Sequence, residues 1–258
     1  ALQQLKSLSS NLSNQSNYVR GEYYVALGKI SYRSENPTGA IKHYKTGIKY
    51  LEKCLEQEAL QIAYTNLGLA YGALDKHEVA LVHYDKAANI TETSSPKTLL
   101  YLHLNRALSL TNIGKHTQSK EAFQNALKII YETKDYFAET RTYGNLADIY
   151  VIEDSLDLAE NYLLKGRKTA TQHGFKLDLI RFDLSLAQLY RTKKEYEKAY
   201  FYLYSHDSIR NSVHIEKAAE DVVNLEKRNQ AAVNDLEQKA LNETIRVKQE
   251  KTGFFGEE

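Results

Sequence analysis

The sequence predicts an all-α fold, a solenoid of stacked helix pairs that ends in one long helix, and three observations carry that prediction. Breakers are scarce: 258 residues hold two prolines and 12 glycines in a chain rich in Leu, Ala, Lys, Glu and Tyr, a composition that favours helix over strand. A pattern of small and large residues recurs at a spacing of about 40 residues. Beyond His206 the pattern stops, and a densely charged stretch from Asp207 to Lys251 contains neither Gly nor Pro.

Charge narrows the function classes. With 34 Lys plus Arg against 33 Asp plus Glu the formal charge is +1, so no global field draws the chain to nucleic acid or anionic lipid, and no direct nucleic-acid binding is expected. The single Cys54 forms no internal disulfide, which fits a cytoplasmic and a periplasmic protein alike. No stretch approaches 18 consecutive apolar residues, and the amino end lacks the basic, apolar, small-residue order of a signal peptide. Methionine is absent, and the chain opens inside an apparent helix, Ala1 to Leu12, with leucines at 2, 5, 8 and 12. It reads as a fragment of something longer, residues 1–20 being the remnant second helix of a preceding repeat.

The repeat is explicit in five registers. Leu27-Gly28, Leu67-Gly68, Arg106-Ala107, Leu146-Ala147 and Leu186-Ala187 place their second residues 40, 39, 40 and 40 positions apart. Twelve residues on comes a small residue, at Ala40, Ala80, Ser119, Ala159 and Ala199. Four further on sits a large one, at Tyr44, Tyr84, Phe123, Leu163 and Leu203, and three more reach Gly47, Ala87, Ala126 and Gly166 before the pattern breaks at His206. Small residues let paired helices approach closely and large ones fill the space between repeats, so these are packing positions.

This pattern resembles the tetratricopeptide repeat, and the second register, Tyr64, Leu67, Gly68, Tyr71, Ala80, Tyr84 and Ala87, matches it best. The resemblance implies a right-handed α-α superhelix. The repeat is longer than the family's usual length and lacks its closing proline, as in the longer-helix subclass of signalling adaptors and bacterial regulators. Turn chemistry at Asn36-Pro37-Thr38-Gly39, Leu74-Asp75-Lys76, Ile113-Gly114-Lys115 and Glu153-Asp154-Ser155, with breaks at Thr93-Ser94-Ser95-Pro96 and Gln172-His173-Gly174, predicts helix pairs at 21–55, 58–92, 97–133, 136–173 and 176–206.

Residues 207–251 are expected to form a long charged helix and 252–258 a disordered tail. Ile215, Val222, Leu225, Ala232, Leu236 and Ala240 make a loose heptad, so the helix either folds back on the last repeat or pairs with another chain, a homodimer through a coiled coil being one outcome. The last repeat followed by His206-Asp207-Ser208-Ile209 and a charged helix resembles bacterial sensors. In those, tetratricopeptide repeats precede a linker, a membrane span and a histidine kinase or helix-turn-helix output domain. The resemblance implies a sensory input domain, periplasmic if it belongs to a membrane sensor and otherwise cytoplasmic, with membrane contact only through a downstream segment.

No catalytic, metal or cofactor site is expected. Gly114-Lys115-His116 lacks the preceding glycines of a phosphate loop. His77 and His83 are six apart, which does not suit a zinc protease. Cys54, late in a predicted helix, has no matched base and reads as a buried structural thiol. His206 and His214 lack a phospho-acceptor context, and Glu220-Asp221 lies in a solvated helix face. Of 20 tyrosines, Tyr44, Tyr64, Tyr71, Tyr84, Tyr143, Tyr150 and Tyr190 fall on packing positions. Asn66, Asn105 and Asn145 recur beside the Leu-Gly slot and read as a hydrogen-bonded ladder between repeats.

Function then falls to the groove. The resemblance places its lining on the first helix of each repeat, giving Lys29, Tyr32, Arg33, Tyr101, Asn112, Arg141, Asp148, Arg181, Gln188 and Arg191 as contact residues, with Val25 among the floor positions. An apolar floor with cations at its ends suits a protein or peptide that has apolar anchors and acidic ends. Two roles follow: the interaction region of a signal-transduction regulator, or a free-standing scaffold.

Overall fold

The computed structural model describes residues 11–90 and 94–253. The leucines at 2, 5 and 8 therefore lie outside the described residues, as does the segment 254–258 of the expected tail. A 3-10 turn at Leu12–Asn14 precedes five helix pairs. These are α1 (Asn17–Arg33) with α2 (Pro37–Leu51), α3 (Gln57–Gly72) with α4 (His77–Ala88), α5 (Pro96–Asn112) with α6 (His116–Thr133), α7 (Tyr136–Ile152) with α8 (Leu156–His173), and α9 (Lys176–Thr192) with α10 (Tyr196–Gly253). No strand occurs among the described residues.

Local chemistry starts and stops the helices. The side chains of Ser16, Asn36, Ser95 and Asp135 accept from backbone N–H groups three residues on, and Pro37 and Pro96 sit where a helix has no use for their missing N–H. Each turn within a pair carries one left-handed residue, at Glu35, Asp75, Gly114, Asp154 and Lys194, with φ of 56°, 55°, 74°, 55° and 61°. Only Gly114 adopts that conformation without a Cβ penalty.

Packing follows the small and large positions. The Tyr44 ring occupies the space over Gly28, and Tyr84 that over Gly68. Phe123 and Leu163 are likewise buried in the next two repeats. Three contiguous apolar clusters result, one over the first two pairs, one over the third into the fourth, and one closing the fourth and fifth. Within the second repeat, the buried Gln61 amide of α3 donates to the carbonyls of Ala87 (2.9 Å) and Ile90 (2.8 Å) at the end of α4. Glu58 accepts from Ser95 N–H (3.0 Å) and the Thr98 hydroxyl (3.1 Å), tying α3 to the start of α5.

Four sequence expectations need correction. α2 ends at Leu51, so Cys54 lies in the turn beyond it, half-buried, with Sγ donating to the Tyr50 carbonyl at 3.4 Å. No helix ends at His206, because nothing between Tyr196 and Gly253 breaks α10, and Thr252 and Gly253 continue it. Leu203, the expected packing residue of the fifth repeat, is 44 % exposed because among the described residues no further helix pair covers that side of α10. His206, where the pattern breaks, is instead buried, and its Nδ1–H donates to the Ile180 carbonyl at 2.9 Å. Beside it Asp183, fully buried, is held by the Arg167 guanidinium and by the Ser205 hydroxyl at 2.6 Å.

Candidate binding groove

The first helices of three successive pairs, α1, α3 and α5, form the wall of an open groove of about 540 Å³. About one turn of α1 and about two turns each of α3 and α5 contribute. Lys29, Tyr32 and Arg33 come from α1, Ile62, Thr65, Asn66 and Leu69 from α3, and Lys97, Thr98, Tyr101 and Asn105 from α5. Tyr44 reaches in from α2, and burial pushes its phenol up to about 12, so that it stays neutral.

The charged groups here are of one sign. Lys29, Arg33 and Lys97 are all exposed at the rim, no carboxylate lines the groove, and none of the three pairs with an acid among the described residues. At the floor, Asn66 Nδ2 is buried from water and has no hydrogen-bond partner. A buried amide N–H left unmade costs about 1–3 kcal/mol, and a ligand carbonyl over Asn66 would satisfy it. The neighbouring Thr65 hydroxyl donates to the Gln61 carbonyl at 2.9 Å. The groove offers an apolar strip, N–H donors and a positive rim.

Of the ten residues marked from sequence, Lys29, Tyr32, Arg33 and Tyr101 line this groove and the other six do not. Arg141, Asp148 and Arg181 gather further along, on α7 and α9. Arg181 lays its guanidinium against Gly144, where no side chain could fit beneath it, and its Nη2 is buried without a partner. Arg141 sits over the Phe137 ring of its own helix at 4.9 Å and 4.0 Å from Asp178 on α9, so it is already engaged within its own repeat and by the next. Asp148 stays accessible to water, yet desolvation by the surrounding protein raises its pKa while Arg181 pulls the other way. Asn112, Gln188 and Arg191 are exposed near the ends of their helices, and the Asn112 amide donates to its own helix at Leu108 (2.8 Å). Val25 is 1 % exposed and belongs to the core rather than to the floor.

The asparagine ladder is also corrected. No hydrogen bond joins Asn66, Asn105 and Asn145 to one another among the described residues, and the first two line the groove. Their recurrence two residues before the Gly or Ala slot, at Asn66, Asn105 and Asn145, was the sequence signal that could have placed them there. Lys97 and Thr98 carried no such signal, since the repeat register does not mark them.

Residues 62–94 match the tetratricopeptide repeat family. Solved structures extend the likeness over most of the chain. BtubC from P. vanneervenii superposes with a TM-score of 0.70 at 15% identity, over 82% of this chain and 87% of that one. The chain folds as a tetratricopeptide-type solenoid. MamA from Desulfovibrio magneticus RS-1 gives a TM-score of 0.59 at 14% identity, over 74% of this chain and 96% of its own. A Rap conjugation gene regulator of the plasmid pLS20, in complex with a Phr peptide, gives 0.56 at 18% identity over 76% of this chain. The present chain spans 55% of that regulator. No curated protein matches this chain. Within the solenoid, the groove between α1, α3 and α5 is on the first-helix side of the repeats. Among the described residues, no group of three or more His, Cys, Asp or Glu could hold a metal ion, and no helix is long and apolar enough to cross a membrane.

Proposed function

We propose that this solenoid is a binding module without catalysis of its own, which takes a peptide segment with apolar anchors and acidic residues into the groove between α1, α3 and α5. The observation that carries the reading is Asn66 Nδ2, a buried donor without a partner at the floor of a groove whose rim holds Lys29, Arg33 and Lys97. An extended peptide presents a backbone carbonyl to such a donor at any residue type. Its side chains then decide affinity, apolar ones against Ile62 and Leu69 and acidic ones against the rim.

We assign the module to the interaction region of a signal-transduction regulator. The support is a regulator of similar fold that was solved with a peptide bound, together with a terminal helix that leaves the solenoid and continues well past it. Ligand capture by three successive repeats would alter their stacking, and α10, rooted in the last repeat, is placed to carry that change onward.

The test is a fluorescence-anisotropy titration of labelled peptides that combine two or three apolar anchors with acidic residues, against charge-reversed versions of the same peptides. Saturable binding of the acidic set, weakened several-fold by Asn66→Ala with no loss of melting temperature, supports the reading. Equal binding of acidic and basic sets, or indifference to Asn66→Ala, overturns it.

A further inference from the structure

Past Glu216, no residue of α10 up to Gln238 is buried against the solenoid. Its last contact there is the ion pair between Lys176 and Glu216, and from His214 to Ala240 every residue is exposed. At 100° per residue, Ile215, Val222, Leu225, Val233 and Leu236 all fall within about 40° of Asn229. These five apolar side chains are 71, 56, 58, 47 and 65 % exposed. No charged residue interrupts that line, although the remaining faces of the segment are dense in Lys and Glu.

The line also runs on the wrong side for the chain to cover it. α10 buries His206 and half-buries Tyr202, Ile209 and Val213 against the solenoid, and these lie about 140–180° around the helix from Asn229. Folding back onto the last repeat, one of the outcomes that the sequence allowed, is thus closed by geometry.

What covers the stripe can be read from its order. From Ala218 to Ala240 the stripe is a palindrome about Asn229: Ala218 mirrors Ala240, Val222 mirrors Leu236, and Leu225 mirrors Val233, while Ile215, whose mirror position is Glu243, lies outside it. We infer that the stripe of α10 is a seam with a second copy of this chain, running antiparallel, with Asn229 of each copy meeting at the two-fold axis. A primary amide both donates and accepts, so two asparagines satisfy one another there, and an off-register copy would bury a lone amide against Leu or Val. The seam also uses the whole free arm. Glu216, where the solenoid lets go, mirrors Asn242, so a partner helix of roughly 40 Å lies along this one before either solenoid is reached. Neither the groove nor its peptide is involved, so this inference stands apart from the binding role.

Cross-linking in the full chain tests it. In a Cys54→Ser background, Val222→Cys and Leu236→Cys are made separately, then mixed and oxidised. The antiparallel seam predicts a disulfide-linked dimer in the mixture and none from either variant alone, because two copies of the same position stand about 21 Å apart. Cross-linking of each variant with itself would mean a parallel pair and overturns the proposal. So does a monomeric mass for the unmodified protein at every concentration in sedimentation equilibrium. Leu225→Glu with Val233→Glu is expected to give a monomer that keeps the melting transition of the solenoid, and persistence of the dimer in that variant also overturns it.

Discussion

The ring of Tyr44 rests on the backbone of Gly28: a Cβ at position 28 would lie 2.4 Å from Cε1 of the tyrosine. The second repeat shows the same arrangement, with 2.5 Å between such a Cβ at Gly68 and Cε1 of Tyr84. Where the sequence has Ala107 and Ala147 instead, the large residue shrinks to Phe123 and Leu163. Ring size and helix spacing are therefore matched within each repeat.

Gly28→Ala should accordingly destabilise the fold by about 1–3 kcal/mol, the usual range for overpacking a tight core. Tyr44→Leu should lose packing on its own, yet the double variant should be more stable than the sum of the two, because leucine leaves room for the methyl. Urea denaturation of the four proteins closes the cycle. Strict additivity would mean that the two residues do not share that space.

A second prediction concerns pH. The His83 ring is stacked between Tyr64 (6.2 Å) and Tyr71 (5.3 Å), with Lys86 and Lys45 over the outer faces of those rings. Burial, then Lys86 and Lys45, lower its pKa to about 4 from 6.5. The unfolded chain thus takes up a proton that the folded one refuses. Stability from this group is complete above pH 6.5 and is lost as pH falls toward 4. His83→Phe should flatten the fall in melting temperature across that window. An unchanged pH profile would show that His83 does not titrate there.

How much of this was legible in the sequence depends on what the repeat constrains. Packing residues such as Gly68 and Tyr84 recur because every repeat solves the same steric problem, so five registers exposed the helix pairs. The groove is not periodic, since its ligand need touch only some repeats. Lys97 and Thr98 therefore gave no signal, and Asn66 and Asn105 were misread as structural because their recurrence looks like packing. The fifth repeat failed for the converse reason. Leu203 obeys the register, but burial at that position takes a following helix pair, and the described residues hold none beyond the fifth; His206, at the register position of the buried Gly47, Ala87, Ala126 and Gly166, stays inward.

That rearranged end makes a third prediction. Asp183 on α9 is fully buried, with Arg167 of α8 and Ser205 of α10 as its partners. Arg167→Ala leaves a buried carboxylate short of its counter-ion and should cost about 3–5 kcal/mol, the range for breaking one side of a buried pair. Adding Asp183→Asn should recover much of that loss, since the amide carries no charge and can still accept from Ser205. Thermal melts of the two variants decide it: if Asp183→Asn gives no recovery, the lost term is packing of the Arg167 stem on Tyr202, which its guanidinium covers at 5.4 Å.

The final prediction separates two positive regions that the sequence treated as one groove. Lys29, Arg33 and Lys97 rim a cavity without acids, whereas Arg141 already faces Asp178 and Arg181 lies against Gly144 beside Asp148. Cations without partners are the ones a ligand can use, because engaging a paired one first requires breaking its existing contact. Reversing Lys29, Arg33 and Lys97 to Glu should therefore abolish capture of an acidic peptide and remove most of the salt dependence of its affinity. Reversing Arg141, Arg181 and Arg191 should leave affinity within about twofold, a change under roughly 0.5 kcal/mol, while lowering the melting temperature through the lost contacts of Arg141. Anisotropy titrations at low and high salt, run beside melts of both triple variants, give the answer. Loss of binding in the second set alone would move the ligand to α7 and α9, with Arg181 as its buried anchor.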